Sequence, residues 1–307
     1  MNHLLSVEDL DRASIERIIA QAARFSEVSD REIKKVPALR GRMVLNLFYE
    51  ASTRTRSSFE LAAKRLSADV VNFAASGSSV EKGESLKDTV LTLSAHKPDA
   101  IVLRTPWAGA AVLVSQWCGA AIVNAGDGKH EHPTQALLDV YTLKERLGSI
   151  DGASVWIVGD VAHSRVARSN IIAFSSLGAE VTVVAPPTLL PPSLAGWPVT
   201  VSHDLDTVLP KSDVIYLLRL QTERATESLL PSVREYTAGY GLTRERGRLL
   251  AERALVMHPG PMNRGVEIAA ELAGLPNSLV TRQVANGVAV RMAVLYLLLG
   301  SGADLGA

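Results

Sequence analysis

Short apolar runs alternate with amphipathic, helix-length stretches along most of this 307-residue chain. Val44-Leu45-Asn46-Leu47-Phe48-Tyr49 is largely apolar and β-prone, which predicts a buried strand. Beyond it, Phe59, Ala62, Ala63 and Leu66 recur at the spacing of one helix face. The rhythm repeats: strands at 70–73, 100–103 and 121–124, helices at about 85–94 and 110–117, then a helix opened by Pro133 with Leu137, Leu138 and Tyr141 on its apolar side. A second series follows Gly148, with strands at 155–158, 181–184, 214–218 and 254–257 and a helix over about 165–177. Such alternation predicts an α/β fold of two domains, each a parallel sheet flanked by helices, with the active site in the cleft between them. Residues 1–137 are expected to form the first domain and 138–285 the second. The final helix, over about 284–299, is apolar on most sides and must be buried. The segment 286–307 is therefore expected to rejoin the first domain.

Charge narrows the partners. Lys+Arg and Asp+Glu balance at 32 each, so no global field draws in nucleic acid or an anionic membrane. The one cysteine, Cys118, excludes an intramolecular disulfide framework and fits a reducing compartment. The N-terminus carries acids and no long apolar core. Val288–Leu299 is interrupted by Arg291 and is too short to span a bilayer. The expectation is a soluble, cytoplasmic protein.

The candidate chemistry collects where the strands end, which is where open α/β sheets bind ligands. Ser52-Thr53-Arg54-Thr55-Arg56 lies between the first strand and its helix. A helix N-terminus offers free N–H groups and a positive dipole end; three hydroxyls and two guanidinium groups add donors suited to phosphate. Later strand ends carry Arg104, then His132 with Gln135, then His163-Ser164-Arg165, Arg219-Leu220-Gln221 and His258-Pro259-Gly260-Pro261. Repeated donors imply a small polyanionic substrate. The blander reading gives each arginine its own surface carboxylate.

Three signals stay open at this level. His132 and Gln135 could donate to a developing oxyanion without bringing a full charge; the alternating His130-Glu131-His132 also permits a metal, although no third ligand at suitable spacing is evident. The loop from Ser76 to Glu84 is rich in small residues and reads as a lid that could deliver Lys82, or as a solvated loop. Gly159-Asp160 after a strand suggests a dinucleotide, but the glycine fingerprint and the ribose-binding acid are absent, so no cofactor is expected.

Taken together, S-T-R-T-R, R-x-P after a strand, H-P-T-Q and R-x-Q stand in the order and spacing of the aspartate/ornithine carbamoyltransferase family, which the chain resembles over essentially its whole length. The branch that takes aspartate is the closer match. S-x-x-x-K-G-E at Ser78–Glu84 resembles its lid loop, and His258-Pro259-Gly260-Pro261 lacks the cysteine of the ornithine branch. The resemblance implies transfer of a carbamoyl group from carbamoyl phosphate to L-aspartate, an early step of pyrimidine synthesis, with no cofactor and no metal. By motif, Ser52, Thr53, Arg54 and Thr55 correspond to the phosphate cradle; Arg104, His132 and Gln135 to the carbamoyl carbonyl and amide site; the backbone of Gly260 and Pro261 completes that site. Arg165, Arg219 and Gln221 correspond to the aspartate clamps. The family forms homotrimers with shared active sites, which implies that a neighbouring chain supplies Ser78 to carbamoyl phosphate and Lys82 as a catalytic and aspartate-binding residue. A regulatory chain or a dihydroorotase is implied as a candidate partner. Two departures stand out: Val166 where some members carry threonine, and Gly260 where many carry leucine. The competing functional readings are a silent scaffold that keeps the fold, and transfer to another amino acid such as ornithine.

Overall fold

The computed structural model describes residues 2–74, 83–221 and 230–300. The chain divides into two compact units, Met1–Tyr141 with Val284–Ala307, and Thr142–Gln283. Both divisions fall inside helices, so two helices are shared between the units.

The first unit is built on β1 (Met43–Phe48), β2 (Asp69–Ala74), β3 (Ala100–Thr105) and β4 (Ala121–Asp127), in the spatial order β2-β1-β3-β4. All three pairings are parallel. Its helices are α1 (Arg12–Val28), α2 (Thr53–Arg65), α3 (Leu86–Ser94), α4 (Ala110–Trp117) and the start of α5 (Pro133–Leu147). Helices cover the sheet, so β1 and β3 are buried on both faces and read as continuous apolar runs. Leu45, Leu47, Ile101, Leu103, Val114 and Ile122 form one core cluster. Cys118 packs at its margin, with Sγ against the Val114 carbonyl oxygen at 3.5 Å.

Sequence inspection did not assign α1. It is capped by Asp11, which accepts from the Ser14 N–H at 2.8 Å, and it buries Ile15, Ile18, Ile19, Ala22 and Phe25. The C-terminal helix α9 (Val280–Leu299) begins earlier than its apolar core suggests. By length and composition alone α9 could cross a membrane. Here it is a packed helix of the first unit from Val284 onward: Tyr296 meets Phe25 edge-on at 5.6 Å, and Ala289, Val290, Met292, Ala293, Val294 and Leu295 are buried.

The second unit carries β5 (Ser154–Val158), β6 (Glu180–Val184), β7 (Thr200–Ser202), β8 (Val214–Leu217) and β9 (Leu255–Met257) in the order β7-β6-β5-β8-β9, again all parallel. Its helices are the end of α5, α6 (Arg165–Ser176), α7 (Val233–Tyr240), α8 (Arg244–Gly247) and the first turn of α9. Val158, Val184, Leu217, Leu242, Val256 and Ile268 centre its core. The short edge strand β7 was not foreseen.

Strand order fixes where each unit can bind. In the first, the chain steps outward from β1 to β2 and then returns to the other side of β1 for β3, so the direction reverses between β1 and β3. In the second, the reversal lies between β5 and β8. Loops leaving the carboxyl ends on either side of such a switch point diverge and leave a crevice.

Candidate active site

In the first unit the reversal is flanked by the S-T-R-T-R segment and by Arg104. Phe48 and Arg104 are register partners on β1 and β3, and the Tyr49 N–H donates to the Arg104 carbonyl oxygen at 2.8 Å. The guanidinium of Arg104 lies 3.4 Å from the Glu50 carboxylate and donates to the Ala125 carbonyl oxygen at 3.3 Å. It is thereby held across the ends of β1, β3 and β4.

Ser52 is the residue before α2, yet its hydroxyl makes no cap hydrogen bond. Asp11, Ser85, Ser164, Ser232 and Thr243 each cap their helices with a side-chain oxygen. Helix starts that lack such a cap leave first-turn N–H groups for an anion. Thr53 and Arg54 are exposed at this terminus and Thr55 is buried beneath it. Arg56 is exposed, and its charge acts on Glu60.

From β4 the chain turns at Asp127, which accepts from the Gly109 N–H at 2.7 Å, from Asn124 Nδ2 at 2.9 Å and from the Glu131 N–H at 3.1 Å. This knot sets His132 at the entry of α5, where its carbonyl oxygen accepts the Gln135 N–H at 2.9 Å. His132 and Gln135 are both buried. Glu131 turns the other way: its carboxylate accepts from the Ser6 hydroxyl and from the Val7 N–H. His130 lies 3.0 Å from Asp127. The three residues of the His-Glu-His run thus serve different neighbours, and among the described residues no cluster of three metal-ligating side chains occurs.

The second unit repeats the arrangement. After β5, Asp160 accepts from the His163 N–H at 3.1 Å, lies 2.8 Å from His163 Nδ1, and receives the Gln221 N–H at 3.4 Å. One buried carboxylate therefore joins the loops after β5 and β8. Ser164 caps α6 through the Ala167 N–H, and Arg165 opens that helix, 3% exposed. Arg219 and Gln221 follow β8 and are half-buried. After β9, the His258 ring nitrogen accepts the Gly260 N–H at 2.8 Å. Gly260 has φ of +64°, a conformation that glycine adopts without the Cβ clash a leucine would meet. Pro261 is exposed.

Arg54, Thr55, Arg104, His132 and Gln135 thus collect at strand ends of the first sheet, and Arg165, Arg219, Gln221 and Gly260 at those of the second. Ser78 and Lys82 lie outside the described residues. Sequence reasoning missed the buried carboxylates behind these donors, Asp139, Asp160 and Glu267. Only Asp139 carried a local signal, its helical spacing from Gln135.

Comparison with known proteins is decisive. Residues 2–145 match the carbamoyl-phosphate-binding domain of aspartate/ornithine carbamoyltransferases, and residues 151–298 match their aspartate/ornithine-binding domain. The chain belongs to the aspartate/ornithine carbamoyltransferase family. Within this family it is 60% identical, over 99% of both chains, to the aspartate carbamoyltransferase catalytic subunit of Parafrankia sp.. It is 61% identical to that of Thermobifida fusca, over 98% of this chain and 96% of the relative. Among solved carbamoyltransferase structures, Trypanosoma cruzi aspartate transcarbamoylase with carbamoyl phosphate and aspartate matches with a TM-score of 0.88 at 34% identity, over 97% of each chain. The M. jannaschii catalytic subunit matches with a TM-score of 0.85 at 36% identity, over 97% of this chain and 98% of the other.

Proposed function

We infer that the first unit's donors receive carbamoyl phosphate and the second unit's receive L-aspartate. The chain is a transferase: it moves the carbamoyl group of carbamoyl phosphate to the amine of L-aspartate, giving N-carbamoyl-L-aspartate and phosphate in de novo pyrimidine synthesis. The observation that carries this is 60% identity to an aspartate carbamoyltransferase catalytic subunit over 99% of both chains.

In our assignment, phosphate sits on the uncapped start of α2 with the Ser52, Thr53 and Thr55 hydroxyls and the Arg54 guanidinium. The attacking amine converts the carbamoyl carbon to a tetrahedral centre, and Thr55, Arg104 and His132 donate to its oxyanion. One such preorganised donor contributes about 3 kcal/mol. Gln135 accepts from the carbamoyl NH₂, and the backbone of Gly260 and Pro261 borders the same group. Arg165, Arg219 and Gln221 grip the aspartate carboxylates; arginine suits them through its bidentate fork. Phosphate departs with its charge already matched. No protein nucleophile takes part, so rate enhancement comes from positioning and fixed donors.

The proposal extends to assembly. The chain acts as a cytoplasmic homotrimer in which Ser78 and Lys82 serve a neighbour's site; its support is the S-x-x-x-K-G-E segment, which follows the edge strand β2. Mixing an Arg54→Ala chain with a Lys82→Ala chain restores activity if sites are shared and leaves it lost if they are not. A regulatory chain or a dihydroorotase is the further partner in this reading, tested by co-sedimentation with each. The reaction is tested by an acceptor screen: carbamoyl phosphate with aspartate or with ornithine, scored by phosphate release. Release with aspartate alone is expected; release with ornithine alone would overturn the assignment.

A further inference from the structure

Behind Gln135 lies a layer that the reaction scheme does not use. Gln135 Nε2 donates to Asp139 Oδ1 at 3.0 Å, one turn along α5, and both residues are buried. The charge of Asp139 acts on Arg291 of α9. Arg291 is 4% exposed, lies 5.1 Å over the Phe59 ring, and donates to the Ser58 hydroxyl at 2.9 Å and to the Gly287 carbonyl oxygen at 3.2 Å. Ser58 and Phe59 belong to α2, whose start is the phosphate cradle. One buried cation therefore ties α9 to α2, the helix that carries the cradle.

We propose that Asp139 is a positioning residue that fixes which end of the Gln135 amide faces the substrate. This rests on the reading of Gln135 as the acceptor for the carbamoyl NH₂. An ionised carboxylate only accepts hydrogen bonds. Gln135 must therefore turn its NH₂ toward Asp139, which leaves its oxygen for the substrate. An amide free to rotate would also present its own NH₂ and meet a donor with a donor. Asp139 thereby sets specificity for a carbamoyl over an acetyl group, since acetyl phosphate replaces that NH₂ with a methyl. Burial drives the guanidinium pKa down to about 10, and the Asp139 charge opposes that fall. The cation persists at neutral pH.

The test compares inhibition constants or KM values for carbamoyl phosphate and acetyl phosphate in the full-length wild type, Gln135→Ala, Asp139→Asn and Asp139→Ala. Asparagine at 139 keeps the shape but can donate to the glutamine oxygen, turning the amide around. The expected result is that Asp139→Asn and Asp139→Ala weaken carbamoyl phosphate, Asp139→Asn about tenfold as for one misdirected hydrogen bond, and leave acetyl phosphate unchanged. Equal weakening of both ligands marks a purely structural role and overturns the inference. So does a wild-type preference in Asp139→Asn, or in Asp139→Ala if Asp139→Asn does not fold. If Gln135→Ala itself keeps the wild-type preference, the reading of Gln135 fails, and the inference with it. If Gln135→Ala loses the preference and Asp139→Asn does not, only the inference fails.

Discussion

The buried carboxylate of Glu267 accepts the backbone N–H of Leu220, which lies between Arg219 and Gln221, at 2.8 Å. It also accepts from Asn263 Nδ2 and from the Asn263 N–H, each at 2.7 Å, so it ties the loop after β8 to the loop after β9. Burial pushes its pKa up, against hydrogen bonds from Leu220 and Asn263 that pull it down. The sign follows: a folded-state pKa above the unfolded one gives stability that is full below the ordinary carboxylate value and is lost as pH rises through the folded value. As pH rises above the ordinary carboxylate range, the wild type should therefore lose stability relative to Glu267→Gln, as measured by urea unfolding. Glu267→Ala should raise KM for aspartate, because the Leu220 N–H then loses its acceptor.

Arg54→Ala should lower turnover by about 10²- to 10³-fold, the loss typical of a donor aimed at developing charge. Arg54 is exposed at the start of α2, so its removal leaves the core intact. Steady-state kinetics read the loss, and an unchanged circular dichroism spectrum verifies the fold. Near-normal activity would refute the cradle.

Arg219→Ala should act on the other substrate. Removing a charged donor from a carboxylate costs about 1.5–3 kcal/mol, or roughly 10- to 150-fold in affinity. We expect KM for aspartate to rise by that factor with KM for carbamoyl phosphate unchanged. Equal change in both would remove Arg219 from the aspartate clamp.

Leu47→Ala tests the scaffold. Leu47 is fully buried in β1 within the first unit's core. Truncation should cost about 2–5 kcal/mol of stability, read as a lowered denaturation midpoint.

The central strands were legible because parallel strands covered on both faces become unbroken apolar runs, as in β1, β3 and β8. The edge strand β7 has two exposed residues of three and makes no such run. Helix α1 carries a readable stripe, from Ile15 to Phe25, but no strand precedes it, so the βα rhythm does not flag it. The donors were legible because arginine, histidine and hydroxyls directly after apolar runs stand out. Their supports were not: Glu267 reaches Leu220 across 47 residues, and Asp160 reaches Gln221 across 61, distances at which local pattern holds no information.

Because α9 completes the first unit, the order of synthesis and the order of assembly diverge. A ribosome delivers residues 1–141 first, yet the partners of Phe25 and Ser58, Tyr296 and Arg291, emerge only after the whole of residues 142–283. The second unit is contiguous and can mature during translation, whereas the phosphate-binding unit waits for its last helix. Premature termination anywhere before α9 thus leaves a nascent chain with its first core uncovered, a ready substrate for quality-control proteolysis.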